Sequence, residues 1–301
     1  MQISLANRVA IVTGAGGGLG RTHAIELARR GAKVVVNDLG AARDGVGASD
    51  AAHRVVEEII AMGGDAVANG ADVTSIDQVE AMVATAVERW GRIDILVNNA
   101  GILRDKSFAK MSLDDFRLVI EVHLMGSINV TKSVWDIMRA QNYGRIVMTT
   151  SSSGLYGNFG QSNYGAAKLA VVGAMQTLGL EGAKYGIHVN CLAPTAATRM
   201  TEDLMSEETL ARLAPEHVSP AIAFLASEQA PNRCIIAAGA GAFEVAYITL
   251  TQGIVATGER AAEMLADKFA ELTNRDGETV PASGADQGTL ELAKTAHKVA
   301  A

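Results

Sequence analysis

Two cysteines in 301 residues cannot build a disulfide framework, so the chain is expected to work in a reducing compartment, the cytoplasm by default. Aromatic residues are scarce at 4%, and proline occurs only five times. Positive charge is also short: 26 Lys and Arg stand against 33 Asp and Glu, a formal net charge of −7. That balance argues against a nucleic-acid role, which needs clustered cations to meet phosphates. No apolar run approaches about 18 residues, so no membrane span is expected. The start, MQISLANRVAIVTG, lacks a charged segment followed by a signal core, and the end, AHKVAA, carries no peroxisomal tripeptide or prenylation cysteine.

What remains is an apolar chain, 49% hydrophobic, long enough to bury a core without metals or cross-links. Its 31 glycines suggest many close turns and tight helix–strand contacts. Short β-rich runs alternate with helix-like stretches. The runs are Val9–Thr13, Lys33–Asn37, Ala66–Asn69, Ile95–Asn98, Arg145–Thr150, Ile187–Leu192 and Cys234–Ala238. Several are apolar at consecutive positions, as in strands covered on both faces. Between them, Thr22–Arg30, Ser75–Trp90 and Leu113–Ala140 repeat apolar residues every three or four positions. This alternation predicts an α/β fold of Rossmann type, a doubly wound parallel sheet of about seven strands. Residues 1–259 read as one domain. Residues 260–301 read as a helical extension, with an amphipathic helix at Arg260–Leu272, a polar loop at Thr273–Gly288 and a short final helix. The stretch Gly40–Ala52 reads as an unusually long loop.

The first strand runs into Thr13-Gly14-Ala15-Gly16-Gly17-Gly18-Leu19-Gly20, with a helix after it. Glycines there let backbone N–H groups approach a pyrophosphate, and the helix start adds partial positive charge. Asp38 closes the second strand, 18 residues after Gly20. Its carboxylate suits both hydroxyls of an adenosine ribose and repels a 2′-phosphate, which favours NAD over NADP. Arg21 and Arg43 are the cations that could reverse this preference, although surface solvation is the plainer reading of each.

Ser151, Tyr164 and Lys168 stand out together. A spacing of four sets Tyr164 and Lys168 on one helix face, and Ser151 follows a strand at the carboxyl edge of the sheet, where ligands of open sheets bind. A tyrosine near its ordinary pKa is a poor base at neutral pH, and a neighbouring ammonium favours its phenolate. Lys168 can supply that charge and anchor a ribose, while Ser151 can hold a substrate oxygen. Ser152 and Ser153 compete with Ser151, and Tyr156 with Tyr164, but no lysine lies four residues beyond Tyr156.

With TGAGGGLG at 13–20, Asp72-Val73, Asn98-Asn99-Ala100-Gly101 and Ser151…Tyr164-x-x-x-Lys168, the sequence resembles the short-chain dehydrogenase/reductase family over roughly residues 5–255. The resemblance implies that Asp72 and Val73 border the adenine and that Asn99, Ala100 and Gly101 lie near the cofactor. It also implies that Leu192–Met200, with Pro194, closes over the nicotinamide. Longer strings, VVVNDLG, NNAGILRDKSF, YGRIVMTTSSSGLYGNFGQSNYGAAKL and NCLAPTAATRMT, are similar to the (3R)-hydroxyacyl-CoA dehydrogenases of peroxisomal multifunctional enzymes and their stand-alone bacterial relatives. The implied reaction is NAD-dependent oxidation of a (3R)-3-hydroxyacyl-CoA in fatty-acid or sterol side-chain degradation. The alternative is a hydroxysteroid or other secondary-alcohol dehydrogenase with a substrate free of CoA. A third reading is a non-catalytic NAD-binding scaffold, which has no need of all three of Ser151, Tyr164 and Lys168. A length of 301 residues leaves no room for hydratase or sterol-carrier domains, so a dehydrogenase alone is expected.

Two departures stand out. Val122-His123-Leu124 occupies the place where many family members carry Asn in a proton relay; His123 reads either as a relay member or as a bystander satisfied by backbone. Pro194-Thr195 replaces a usual Pro-Gly. Arg104 and Lys106 could meet CoA phosphates, although a solvated loop is the plainer reading. Met125, Met138, Met148, Met175, Met200 and Met205 could shape an acyl pocket, and several must be core. Trp90 and Trp135 are expected to cap helix packing, and Cys191 and Cys234 to sit in buried strands. No Cys/His cluster suggests a metal. By family resemblance, a homodimer or homotetramer is expected through the helices at 113–140 and 155–182.

Overall fold

A computed structural model describes residues 2–40, 49–197 and 206–296. The chain divides into two compact units, Met1–Val245 and Ala246–Ala301. Most of the expected loop at Gly40–Ala52 lies outside the described residues, as do Arg43, Met200, Met205 and the far end of Leu192–Met200.

The first unit holds one sheet in the order β3-β2-β1-β4-β5-β6-β7-β8. Its strands are β1 Val9–Thr13, β2 Lys33–Asn37, β3 Ala66–Asn69, β4 Ile95–Asn98, β5 Gly144–Thr149, β6 Ile187–Thr195, β7 Ile235–Gly239 and β8 Ala242–Ala246. All six pairings from β3 across to β7 are parallel. β1, β4 and β5 are buried at every position, which explains their unbroken apolar runs. Strand order reverses at β1, between β2 and β4, the place where open sheets form a ligand crevice at their carboxyl edge. Seven strands match the sequence reading; β8 is an addition. Ala240 and Gly241, both left-handed, form the two-residue turn that joins it to β7. Only a hairpin can be closed so tightly, so β8 runs antiparallel.

The helices are α1 Gly18–Arg29, α2 Ala51–Ala61, α3 Ile76–Trp90, α4 Leu113–Ile120, α5 Gly126–Gln141, α6 Ser152–Tyr156, α7 Ser162–Gly182, α8 Glu207–Arg212 and α9 Ser219–Leu225. The single helix expected at Leu113–Ala140 is broken in the middle. A π-helical segment, Glu121–Met125, separates α4 from α5 and carries His123 at its centre. The fully buried Met138, Met148 and Met175 are core rather than pocket, and Trp135 lies against Gly182 of α7. Cys191 is buried and Cys234 half-buried, both as free thiols.

At the amino edge of the sheet, the wholly buried carboxylate of Asp94 accepts from the Val9 amide at 3.0 Å and from Arg8 at 2.9 Å, and it also meets Arg92. Arg145 is buried too, its guanidinium donating to the carbonyls of Gly144, Gly186 and Ser227. These bonds fasten strand starts, on the edge opposite the crevice.

In the second unit, α10 Ala261–Asp267 and α11 Phe269–Leu272 divide the helix expected at Arg260–Leu272, and α12 spans Gly284–Ala296. The last helix therefore starts inside the stretch read as loop. Leu250 and Thr279 form an antiparallel bridge.

Candidate active site

The glycine-rich turn joins β1 to α1, and neighbouring backbone packs close against it. A Cβ on Gly14, which is left-handed, would fall 2.8 Å from Ala100 Cα, and one on Gly16 would fall 2.7 Å from the Asp38 carboxyl carbon. A Cβ on Gly20 would meet the Gly14 carbonyl oxygen at 2.1 Å. Gly18 and Leu19 begin α1, with their amides among the unpaired donors of its first turn. Thr13 anchors the facing turn: its hydroxyl accepts from the amides of Asn99 and Ala100 at 3.0 and 3.1 Å. Asn99 answers by donating to the carbonyls of Thr13 and Gly14, both at 3.1 Å.

Asp38 accepts from the Gly16 amide at 2.7 Å through Oδ2 and from the Gly40 amide at 2.7 Å through Oδ1. A carboxylate has about four acceptor sites, so two stay free for hydroxyl donors. Arg21, weighed above as a cation for a 2′-phosphate, is engaged elsewhere by Glu58 of α2 and Glu216. After β3, Asp72 is turned back onto Thr74, while Asn129 of α5 donates to the Val73 carbonyl at 3.0 Å. Val73 is buried against Gly126. Pro194 lies near the end of β6, opposite Ala238.

Ser151, Tyr164 and Lys168 come together where β5 ends. Ser151 is the N-cap of α6; its Oγ accepts from the Ser153 amide at 3.2 Å, and its side chain is near enough to Tyr164 to favour the phenolate. Ser152 is exposed, and the Ser153 hydroxyl is turned to Gln161 instead. Lys168 sits one turn after Tyr164, buried, with Nζ donating to the Thr149 carbonyl at 2.6 Å and 5.6 Å from the Tyr164 ring centroid. Burial pulls the Lys168 ammonium down to about 7. Burial also raises the Tyr164 phenol; the Ser151 side chain opposes this, and the Asp105 carboxylate adds to it. Tyr156 is well exposed, so it neither packs in the core nor competes for this place.

The imidazole of His123 meets the Tyr164 ring edge to face, with centroids 5.2 Å apart. It fits because Gly101 has no side chain: a Cβ there would fall 2.2 Å from His123 Cε1. Nε2 lies 2.8 Å from the Ile102 carbonyl and 3.1 Å from the Ile102 amide, whereas buried Nδ1 has no partner. Burial first, then the Lys168 charge, lowers its pKa to about 3, so the ring is neutral. Both readings of His123 thus keep some support: one nitrogen is satisfied by backbone, and the other is left over beside Tyr164.

The rim of the site holds residues that sequence reasoning passed over. Asn163 Oδ1 accepts from the Tyr164 amide at 2.7 Å, and its Nδ2 donates to the Arg104 carbonyl at 3.1 Å. Gln161 bonds Asp105 at 2.7 Å. Only their place in the turn before Tyr164 could have marked them. Lys106 lies 3.6 Å from Asp115. Among the described residues no His, Cys, Asp and Glu group could hold a metal, and no helix is long and apolar enough to cross a membrane.

Comparison with known proteins agrees with this geometry. A family model for short chain dehydrogenases matches residues 8–209. A Mycobacterium tuberculosis protein named as a short-chain type dehydrogenase/reductase is 48% identical over 273 residues, 90% of this chain and 96% of that one. Mouse peroxisomal multifunctional enzyme type 2 is 51% identical over 236 residues, 78% of this chain but only 32% of the mouse enzyme. Among solved structures, a 7α-hydroxysteroid dehydrogenase complexed with NADH and 7-oxo glycochenodeoxycholic acid superposes with a TM-score of 0.71 at 30% identity, covering 79% of this chain and 95% of that one. From the glycine turn at β1 to the tyrosine and lysine on α7, the chain is an enzyme that belongs to the short-chain dehydrogenase/reductase family.

Proposed function

We propose that the protein oxidises a (3R)-3-hydroxyacyl-CoA to the 3-ketoacyl-CoA with NAD. The observation that carries the substrate class is the 51% identity to the mouse multifunctional enzyme, joined to a site whose groups suit alcohol oxidation. The cofactor reading is supported by the cradle of Gly14, Gly16 and Gly20 and by the spare acceptor sites on Asp38. The α1 amides of Gly18 and Leu19 would hold the pyrophosphate, Asp38 the adenosine ribose, and Asp72 and Val73 the adenine. Asn99, Ala100, Gly101 and Pro194 would line the rest. When bound, NAD supplies the hydride acceptor.

The protein's own work is proton transfer and orientation. Ser151 holds the substrate hydroxyl beside Tyr164, whose oxygen takes the proton. Lys168, four residues along the same helix, lends positive charge that favours the phenolate and donates to a ribose hydroxyl. His123, neutral and fixed, offers the bare nitrogen as a polar neighbour to this relay. Residues 1–259 act as the catalytic domain and 260–301 as its extension. A homodimer or homotetramer in a reducing, cytoplasmic compartment fits the two free thiols.

A stereospecific assay tests the reading: NADH should form with (3R)- but not (3S)-3-hydroxyacyl-CoA esters on a ladder that includes a bulky sterol side-chain ester. No turnover of any ester would sink it. The likeness to a hydroxysteroid dehydrogenase supports a second reading, an alcohol substrate without CoA. Faster turnover of free steroids than of CoA esters would favour that one.

A further inference from the structure

We propose that Gln161, backed by Asp105, is a positioning residue that clamps helix α6 so that the Ser151 hydroxyl keeps its place beside Tyr164. The loop after β4 and the α6 segment meet at its side-chain amide, and α7 meets its backbone carbonyl. From the loop after β4 comes Asp105, whose Oδ2 accepts from Gln161 Nε2 at 2.7 Å. From α6 comes Ser153, whose hydroxyl donates to Gln161 Oε1 at 2.8 Å; Asn158 of the following turn donates to the same oxygen at 3.1 Å. From α7, the Gly165 amide donates to the Gln161 carbonyl at 2.7 Å. A further bond, Lys106 amide to Gly160 carbonyl at 3.0 Å, zips the two loops side by side.

The pattern requires an amide. A flipped Gln161 would turn its oxygen on the Asp105 carboxylate and its NH2 on the Asn158 NH2, so only one orientation fits. Glutamate would set two carboxylates together, and leucine would leave all three partners unmade. Ser153 then passes the constraint on: its backbone amide donates to Ser151 Oγ, the group whose nearness favours the Tyr164 phenolate. With that lone pair occupied, Ser151 has a fixed direction left for its own proton and for a substrate oxygen.

Asp105 and Gln161 act on Tyr164 in opposite senses, which separates them from mere scaffolding. The Asp105 charge disfavours the phenolate, whereas the Ser151 side chain that Gln161 keeps in place favours it.

The inference rests on the proposed roles of Ser151 and Tyr164, and its test does not depend on knowing the substrate. Tyr164 ionisation is followed by ultraviolet difference absorbance in the full-length protein with NAD⁺, with Tyr164→Phe as the blank. Asp105→Asn should lower the midpoint and Gln161→Leu should raise it, with melting temperatures close to wild type. On a turned-over ester, Gln161→Leu should lower kcat by roughly ten- to a hundredfold, the scale of a nucleophile or acid displaced by about 1 Å, with NADH affinity unchanged. Midpoints that do not move, or that move together, would overturn the proposal. So would a wild-type kcat in Gln161→Leu. An active Tyr164→Phe instead overturns the underlying assignment of Tyr164, whatever Gln161 does.

Discussion

Asp38 shows how much one side chain can decide. It is held by two backbone amides and faces the glycine turn, while Arg21 is tied to Glu58. A phosphate arriving at Asp38 would meet like charge. Asp38→Ser should therefore lower the preference for NAD over NADP by about tenfold or more in kcat/KM, chiefly through KM for NADP, since each 1.4 kcal/mol of relieved repulsion is about a factor of ten. An unchanged ratio would refute this account of selectivity. Asp38, like Tyr164 and Lys168, was legible because its chemistry is local in sequence: a fixed distance from a glycine turn, or one helical turn between partners. Asp105, Gln161 and Asn163 were not legible. Each is an ordinary polar residue, in a loop or in the first turn of α7, and its meaning arises only when segments distant in sequence are brought side by side.

At the scale of elements, burial decided what could be read. Strands covered on both faces announce themselves as apolar runs, so β1 to β7 were placed to within a few residues. β8 is exposed at almost every position and carries no such run; the hairpin turn at Ala240-Gly241 was its only mark. The π-helical break between α4 and α5 was hidden for another reason. One extra residue in a turn preserves the apolar spacing on either side while rotating His123 inward. Elements also depend on what fastens their ends. Asp94, at the start of β4, carries the Val9 amide, Arg8 and Arg92 on one buried carboxylate. Asp94→Ala would strand that amide and take the buried anion from Arg92 and from Arg8, which keeps only exposed Glu228. A loss of about 3 kcal/mol in urea-unfolding free energy is expected, with little change in activity per folded molecule because the site lies at the opposite sheet edge. A loss under about 1 kcal/mol would show that solvent replaces the carboxylate.

The whole molecule carries a further debt in its buried imidazoles. His23, on α1, is fully buried and its pKa is lowered to about 3 by burial, as is that of His123. The bonding of His23 explains why it resists a proton. Ser219 of α9 donates its hydroxyl hydrogen to Thr22 Oγ1 at 2.9 Å, so it can only accept from His23 Nδ1, 2.8 Å away. Nδ1 therefore carries the ring hydrogen and Nε2 is bare, buried and without a partner. Protonation would add a charge and a donor where no acceptor waits. In the unfolded chain both rings titrate near the usual 6.5. Between about pH 6.5 and pH 3 the unfolded state thus binds more protons than the native one, and stability falls as the pH falls. From pH 7 to pH 5 each ring should cost about 2 kcal/mol, a large share of a typical folding free energy. Half-buried His188, also lowered by burial, acts in the same direction. Urea unfolding at pH 7 and pH 5, a window above most carboxylate titrations, reads the sum. His23→Asn removes one titrating ring and keeps a donor for Ser219, so its loss of stability between the two pH values should be smaller than wild type by about 2 kcal/mol. An equal loss in both proteins would mean that His23 is protonated in the native state, and that the bond chain from α9 to α1 runs in the other direction.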